Sequence, residues 1–439
     1  MNRTFRRCLL LPVLALVCAS AGAEVPAMPA LEGPITGPGP MYPGLRPLTP
    51  GTEPADFGYL TEEYFVSGTA AGQPYKTRIL VRRPEPAERF SGIVVAEVLH
   101  SNGFAVTFEP ARKSVLLRGH VQVDIAAQQG NVNNSIKPFN PERYASLSIA
   151  SGAQTSHIVA QVGLLLKSNL SNGPLHPLAV RRLILQGTSQ SSGVLRTYQS
   201  QQHTAVNMPD GAAIVDGYLA VSTLGGTQMM VVDVPTVQMP TQTEVNSGAA
   251  AGNTYRRPDS DEPENRFRLY ETAGMPHANG RDTAQPDCSL PVSDFPWGAM
   301  VAMGLNHLVQ WVDNGVVPPR APYIEVDNNL ENDGSRLALD ANGNAKGGVR
   351  NPYVDVPVAV YGVPNSGSGA SAFLCSIAGW RIPYNEATLR DLYKNKGSYI
   401  SRLNRNLMNR VREGWMLPEY AEDVRAEALG IAIPNPPDR

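Results

Sequence analysis

The stretch RRLILQGTSQSSGVLRTY, from Arg181 to Tyr198, decides the reading of this chain. An apolar run, Leu183 to Leu185, meets Gly187, Ser189 and Ser191 before amphipathic sequence resumes at Val194 and Leu195. The run has the length and composition of a buried strand, and the sequence after it has helical periodicity. A serine at such a strand-to-helix turn is either part of a polar turn or a nucleophile. For the second role the residues two before and two after it must be small, because the serine takes a strained backbone conformation. Gly187 and Ser191 meet that requirement, giving G-x-S-x-S where the usual motif is G-x-S-x-G.

Outward from this turn, apolar segments alternate with helical ones. SGIVVAEVL (Ser91 to Leu99) and VQVDIAAQ read as buried strands, FEPARKSVLLRGH and TSHIVAQVGLLLKSN as helices, and VDVPTVQM and ENRFRLYETAG as two later strands. Alternation of this kind builds a mainly parallel sheet covered on both faces. EEYFVSG and YKTRILVRRP read as antiparallel strands that enter the sheet, and WGAMVAMGLNHLVQWVDNG as a long helix ended by Gly315 and the prolines at 318 and 319. Beyond Tyr323 the alternation stops; a hairpin is predicted around Asn342 and Gly343, and residues 384–431 read as strongly helical. The expected fold class is therefore α/β with a helical C-terminal extension. It divides into a core over about 59–320 and a hairpin and helical extension over about 321–439.

The first 23 residues read as a secretory signal peptide: Arg3, Arg6 and Arg7, an apolar run from Leu9 to Val17, then Ala21-Gly22-Ala23 with cleavage predicted after Ala23. The run is too short to span a bilayer stably. Export to the periplasm or beyond is expected, without stable membrane insertion. Residues 24–58 form a Pro/Gly-rich leader with nine prolines between Val25 and Pro54, expected to lie extended on the surface or free in solvent. Removing the signal peptide leaves Cys288 and Cys375, which are expected to pair in an oxidising compartment. With 37 Lys and Arg against 39 Asp and Glu, net −2, the chain is a poor nucleic-acid ligand. No His or Cys cluster has metal-ligand spacing, DANGNAKGG lacks the Gly and Glu of a calcium loop, and no phosphate-cradling or dinucleotide fingerprint is present, so no cofactor or metal is expected.

If Ser189 attacks a carbonyl, a base must take its proton, an acid must orient the base, and donors must meet the oxyanion. The fold predicts the chain order Ser, acid, His. Of the three histidines after Ser189, His203 ends the following helix and His307 lies among apolar residues, so both read as packing or surface residues. His277, in the loop TAGMPHANG after the last strand, is the expected base. Glu244, past the strand that ends near Met239, is the expected acid; Asp233 sits at the wrong end of that strand, and Asp259, with Asp261, is the alternative. The Gln190 N–H is one expected oxyanion donor, and a backbone N–H of Ser101 or its neighbours in HSNGF the other.

With these residues in place, the chain resembles the alpha/beta hydrolase domain family of bacterial exported proteins whose elbow reads G-x-S-Q-S. The similarity rests on YKTRILVRRP, NPERYASL, GTSQSSG, RRPDS, YETAGMPHAN and DANGNAKGGVRNPYVDVP, in that order, and runs from about Tyr59 to the carboxyl end. It departs from the family at Glu244, where Asp is usual, at His157, and at Thr188 beside the serine. The resemblance implies an α/β-hydrolase fold and hydrolysis of a small-molecule carboxylic ester. An amidase or peptidase with the same triad, and a non-catalytic envelope or carbohydrate binding protein on this scaffold, are the alternatives.

Overall fold

The computed structural model describes residues 23–47, 51–223, 227–278, 280, 286–327 and 334–434. The expected signal peptide lies, apart from Ala23, outside the described residues. In chain order the elements that position the site begin with β1 (Ala30–Glu32), β2 (Tyr59–Ala70), β3 (Gln73–Pro84), β4 (Ile93–Val98), α1 (Phe108–Leu117), β5 (Val121–Ile125), α2 (Thr155–Lys167), β6 (Arg182–Thr188) and α3 (Gln190–Gln201). They continue with β7 (Gly217–Val221), β8 (Thr236–Met239), α4 (Gln242–Gly248), β9 (Phe267–Leu269) and α5 (Trp297–Asn314). The last are β10 (Ala359–Gly362), α6 (Ala372–Ala378), β11 (Trp380–Pro383), α7 (Glu386–Tyr393), α8 (Lys396–Arg412) and α9 (Pro418–Gly430).

Nine strands form one sheet in the order β1-β2-β3-β5-β4-β6-β7-β8-β9. The pairs from β1 to β5 are antiparallel, and those from β5 through β4 to β9 are parallel. β2 and β3 meet at Ala71-Gly72, both with positive φ, which matches the strand twist at a two-residue hairpin. Every residue of β4, β5 and β7 is buried, as expected of strands covered on both faces. α5 ends at Gly315 in the left-handed region, where a glycine pays no Cβ penalty.

The Pro/Gly-rich segment is extended, and it is also bound to the core. β1 adds an edge strand to β2, and Tyr42 and Leu45 are buried. The C-terminal helices pack on the core: Tyr399, Leu403, Leu407, Tyr420 and Val424 are buried, and Lys113 and Arg118 of α1 pair with Asp423 and Glu419 of α9. The helical segment is divided, because Lys394 has positive φ and Asn395 caps a new helix by accepting the Ser398 N–H at 2.9 Å. β10 and β11 pair as a separate ribbon, and Cys288 and Cys375 are joined by a disulfide. Among the described residues no helix is long and apolar enough to cross a membrane.

Candidate active site

The parallel strands end on one edge of the sheet, and the loops that follow β4, β6, β8 and β9 converge there. Ser189 takes φ 56° and ψ −120° between β6 and α3, a conformation that non-glycine residues avoid. The local sequence explains why the turn can close. A Cβ on Gly187 would come within 2.8 Å of the Ser191 backbone, so only glycine fits. Ser191, which departs from the usual motif, is fully buried, and its hydroxyl accepts the Thr188 N–H at 2.9 Å and donates to the Thr188 carbonyl at 2.8 Å. The side chain thus pins the backbone before Ser189.

Glu244 lies in the first turn of α4, not in an irregular loop. Thr241, Gln242, Thr243 and Glu244 form a capping box, T-x-x-E, a sequence signal of a helix start directly after β8. Glu244 Oε2 accepts from the N–H and the hydroxyl of Thr241, each at 2.7 Å, while Oε1 faces Nδ1 of His277 in a hydrogen bond. A carboxylate can only accept, so His277 carries its proton on Nδ1 and presents a lone pair on Nε2. That nitrogen is 2.9 Å from Ser189 Oγ. The His277 loop is fastened on several sides: its N–H donates to Thr243 Oγ1 at 3.1 Å, Trp297 Nε1 donates to the Pro276 carbonyl at 2.8 Å, and Ala278 N–H to the Ile377 carbonyl at 3.1 Å.

The structure thus brings together Ser189, His277 and Glu244, and it leaves the alternative acid elsewhere. Asp259 accepts the Leu269 N–H at 2.9 Å on β9, and burial raises its pKa; it holds the strand that leads to the histidine loop. Asp261 pairs with Arg320 at 2.7 Å. His203 binds Tyr218 at 2.7 Å and Asp233 at 2.6 Å, and His307 packs between the rings of Tyr270 and Trp415.

Gln190 is the first residue of α3, so its backbone N–H has no intrahelical acceptor and faces the site at the positive end of the helix. Ser101 borders the same cavity, but its N–H donates to the Gln190 side-chain Oε1 at 3.1 Å. Gln190 Nε2 in turn donates to Gln128 Oε1 at 2.7 Å. The Ser101 N–H reaches an oxyanion only when the Gln190 side chain yields it.

Beneath the elbow, buried Glu97 of β4 accepts the N–H groups of Thr107 and Phe108, each at 2.8 Å, at the start of α1. Burial outweighs these bonds and pushes its pKa up to about 8. Thr107 and Thr188 share a 2.9 Å hydroxyl contact, so the residue beside Ser189 is bonded to the loop after β4.

Ser189, Gln190 and His277 open into a cavity of about 460 Å³. Its lining combines the polar Arg46, His100 and Glu109 with the apolar Val292, Trp297, Phe373, Leu374 and Ile377. Burial holds the pKa of His100 below its usual value. Phe373 and Leu374, on α6, are 64% and 50% exposed. Sequence reasoning missed both groups. Arg46 stands in a Pro/Gly run without periodicity, and only the apolar AFLCSIA beside Cys375 marks α6. Among the described residues no cluster of three or more His, Cys, Asp or Glu side chains is arranged to hold a metal.

The segments that carry the family resemblance hold these loops. Arg256 Nε and Nη2 clamp Glu271 at 2.6 and 2.8 Å, Tyr255 donates to the same carboxylate at 2.7 Å, and Asn351 Nδ2 donates to the Ala273 carbonyl at 2.8 Å. RRPDS, YETAG and VRNPY thereby fix the strand end from which His277 is delivered.

No curated protein matches the sequence. Solved structures to which the chain is similar include fungal esterases from Rhizomucor miehei, at 10% identity over 57% of this chain and 85% of that one, with a TM-score of 0.33. A cold-adapted esterase from an Arctic intertidal metagenomic library is similar at 13% identity over 48% of this chain and 85% of that one, TM-score 0.28. A prolyl endopeptidase is similar at 9% identity over 49% of this chain and 35% of that one, TM-score 0.28. From residue 31 to residue 426 the sequence matches the model of the alpha/beta hydrolase domain, and the chain belongs to that family.

Proposed function

We propose that this protein is an exported serine hydrolase that cleaves carboxylic esters through an acyl-enzyme intermediate. The observation that carries the reading is the 2.9 Å contact between Ser189 Oγ and His277 Nε2, with Glu244 on the opposite ring nitrogen. Export rests on the amino-terminal sequence and on the disulfide between Cys288 and Cys375.

In this mechanism the Ser189 hydroxyl donates its proton to His277 Nε2 as Oγ attacks the ester carbonyl. Glu244 stabilises the imidazolium, already oriented by its own bonds to Thr241. The oxyanion meets the Gln190 N–H at the head of α3, and the Ser101 N–H joins it when Gln190 Oε1 is displaced. His277 then protonates the leaving alcohol. Water attacks the acyl carbonyl as His277 takes its proton; His277 returns that proton to Ser189 Oγ as the acyl–serine bond breaks, and the acid leaves.

The test is p-nitrophenyl butyrate hydrolysis by wild type and Ser189→Ala, together with labelling by a fluorophosphonate. Labelling of Ser189 and a loss of at least about a thousandfold in kcat in the variant are expected. Equal turnover in the variant rejects Ser189 as nucleophile. An unlabelled serine with no ester turnover rejects the enzyme. Cleavage of a matched anilide faster than the ester assigns the site to amides.

A further inference from the structure

The amino-terminal segment is held at the mouth of the cavity by more polar contacts than a surface leader needs. The Tyr42 carbonyl accepts from Arg78, the Pro43 carbonyl from Arg82 Nη2 at 2.9 Å, and the Gly44 carbonyl from the Ala105 N–H at 2.9 Å. The Arg46 N–H donates to Glu109 Oε2 at 2.8 Å. Behind them Glu63 gathers Arg78, Arg143 at 2.7 Å and the Tyr144 hydroxyl at 2.8 Å, and Arg82 pairs with Asp124 at 2.8 Å. Buried arginines are costly unless paired and hydrogen-bonded. Here the leader's carbonyls complete their shells. The backbone from Tyr42 to Arg46 is therefore placed as firmly as the core, and it sends the Arg46 side chain into the cavity that holds Ser189 and His277.

Arg46 keeps most of its hydrogen-bonding capacity. Its Nε lies 3.3 Å from Glu109 Oε1, and its guanidinium makes no hydrogen bond to any described residue. The Glu109 side chain is 3% exposed and that of Arg46 27%, so the carboxylate lies behind and the cation faces the cavity. The other titratable side chains of the lining are His100 and His277, and Val292, Trp297, Phe373, Leu374 and Ile377 supply apolar surface in the same cavity.

We infer that Arg46 is a specificity-determining residue that binds a carboxylate carried by the ester, so that the substrates are esters that bear both an anionic group and an apolar group. The inference rests on the serine-hydrolase reading. A guanidinium matches a carboxylate with a fixed fork of donors. A neutral ester offers the terminal nitrogens of that fork no charged partner beyond Glu109, which is how a polar site discriminates.

The test uses two matched pairs, because the anion can belong to either half of the ester. One pair is 4-acetoxybenzoate and its methyl ester, the other phenyl hydrogen adipate and methyl phenyl adipate. Values of kcat/KM are normalised to sites labelled by a fluorophosphonate. In wild type the anionic member is preferred about tenfold or more in one pair, and the preference shrinks as salt is added. Arg46→Gln brings the ratio toward that of the free esters in water, and Arg46→Lys keeps part of it. A ratio near one in both pairs in wild type, or an unchanged ratio in Arg46→Gln, overturns the inference. If Arg46→Gln does not label, the wild-type ratio and Arg46→Lys decide. Labelled Ser189 and neutral-ester turnover without preference sink this inference alone, whereas no labelling and no turnover sink the hydrolase reading with it.

Discussion

Thr241 and Glu244 close a capping box in which Glu244 Oε2 stands 2.7 Å from both the backbone nitrogen and the hydroxyl of Thr241. The other carboxylate oxygen faces His277, so one residue starts a helix and orients the proposed base. Two variants separate these tasks. Thr241→Ala removes the cap, and thermal unfolding should show a loss of about 1 kcal/mol with a modest fall in kcat. Glu244→Gln keeps an acceptor for Thr241 but removes the charge that stabilises an imidazolium. Its melting point should stay near wild type while kcat falls by about two to four orders of magnitude.

Gly187 and Gly193 flank the same turn and should respond oppositely to alanine. At Gly187 the new Cβ meets the Ser191 backbone at 2.8 Å, so Gly187→Ala should displace the elbow and abolish labelling of Ser189. At Gly193, in the exposed part of α3, a Cβ meets nothing within 4 Å. Gly193→Ala should leave labelling intact and raise stability by up to about 1 kcal/mol, read from denaturant midpoints.

Burial pushes the pKa values of His120 and His307 down to about 4. The unfolded chain takes up these protons below the ordinary value of 6.5, and the native chain does not. Stability should therefore fall as pH drops from 6.5 toward about 4, by on the order of 3 kcal/mol per histidine. Glu97 acts in the opposite sense: between 4.5 and about 8 the native chain keeps a proton that the unfolded chain releases, so its contribution declines as pH rises. Melting curves against pH should show His307→Leu flattening the acid limb and Glu97→Gln flattening the alkaline one.

The disulfide anchors α6, whose Phe373, Leu374 and Ile377 form the apolar wall of the cavity. It joins residues 87 apart in sequence, so its loss should cost about 2–4 kcal/mol. Cys375→Ser should also raise KM for long-chain or aromatic esters more than for acetyl esters, because the short acyl group does not use that wall. Initial rates over an acyl-length series check the contrast.

The sheet was legible from residue 59 onward because its strands are continuous apolar runs separated by amphipathic helices. β7 was the exception: GYLAV is five residues long, opens on Gly217, and is separated from α3 by a long irregular stretch. Its place between β6 and β8 is visible only once both are paired to it. Residues 384–431 read as helical, but the boundary between α7 and α8 is set by the positive φ of Lys394 and the side-chain cap at Asn395.

The order of Ser189, Glu244 and His277 and the small residues around the serine are written in the sequence, because an elbow imposes local steric rules and a parallel sheet delivers its loops to one edge in chain order. T-x-x-E after β8 was an additional local signal for Glu244. What surrounds the triad depends on tertiary structure. Arg46 enters the cavity because Arg78 and Arg82, more than thirty residues later, bind the carbonyls of Tyr42 and Pro43. Phe373 reaches it because Cys375 is tied to Cys288. Such contacts between distant segments have no period or spacing, so local patterning marked the residues of the proposed triad and only packing decided what else lines the cavity.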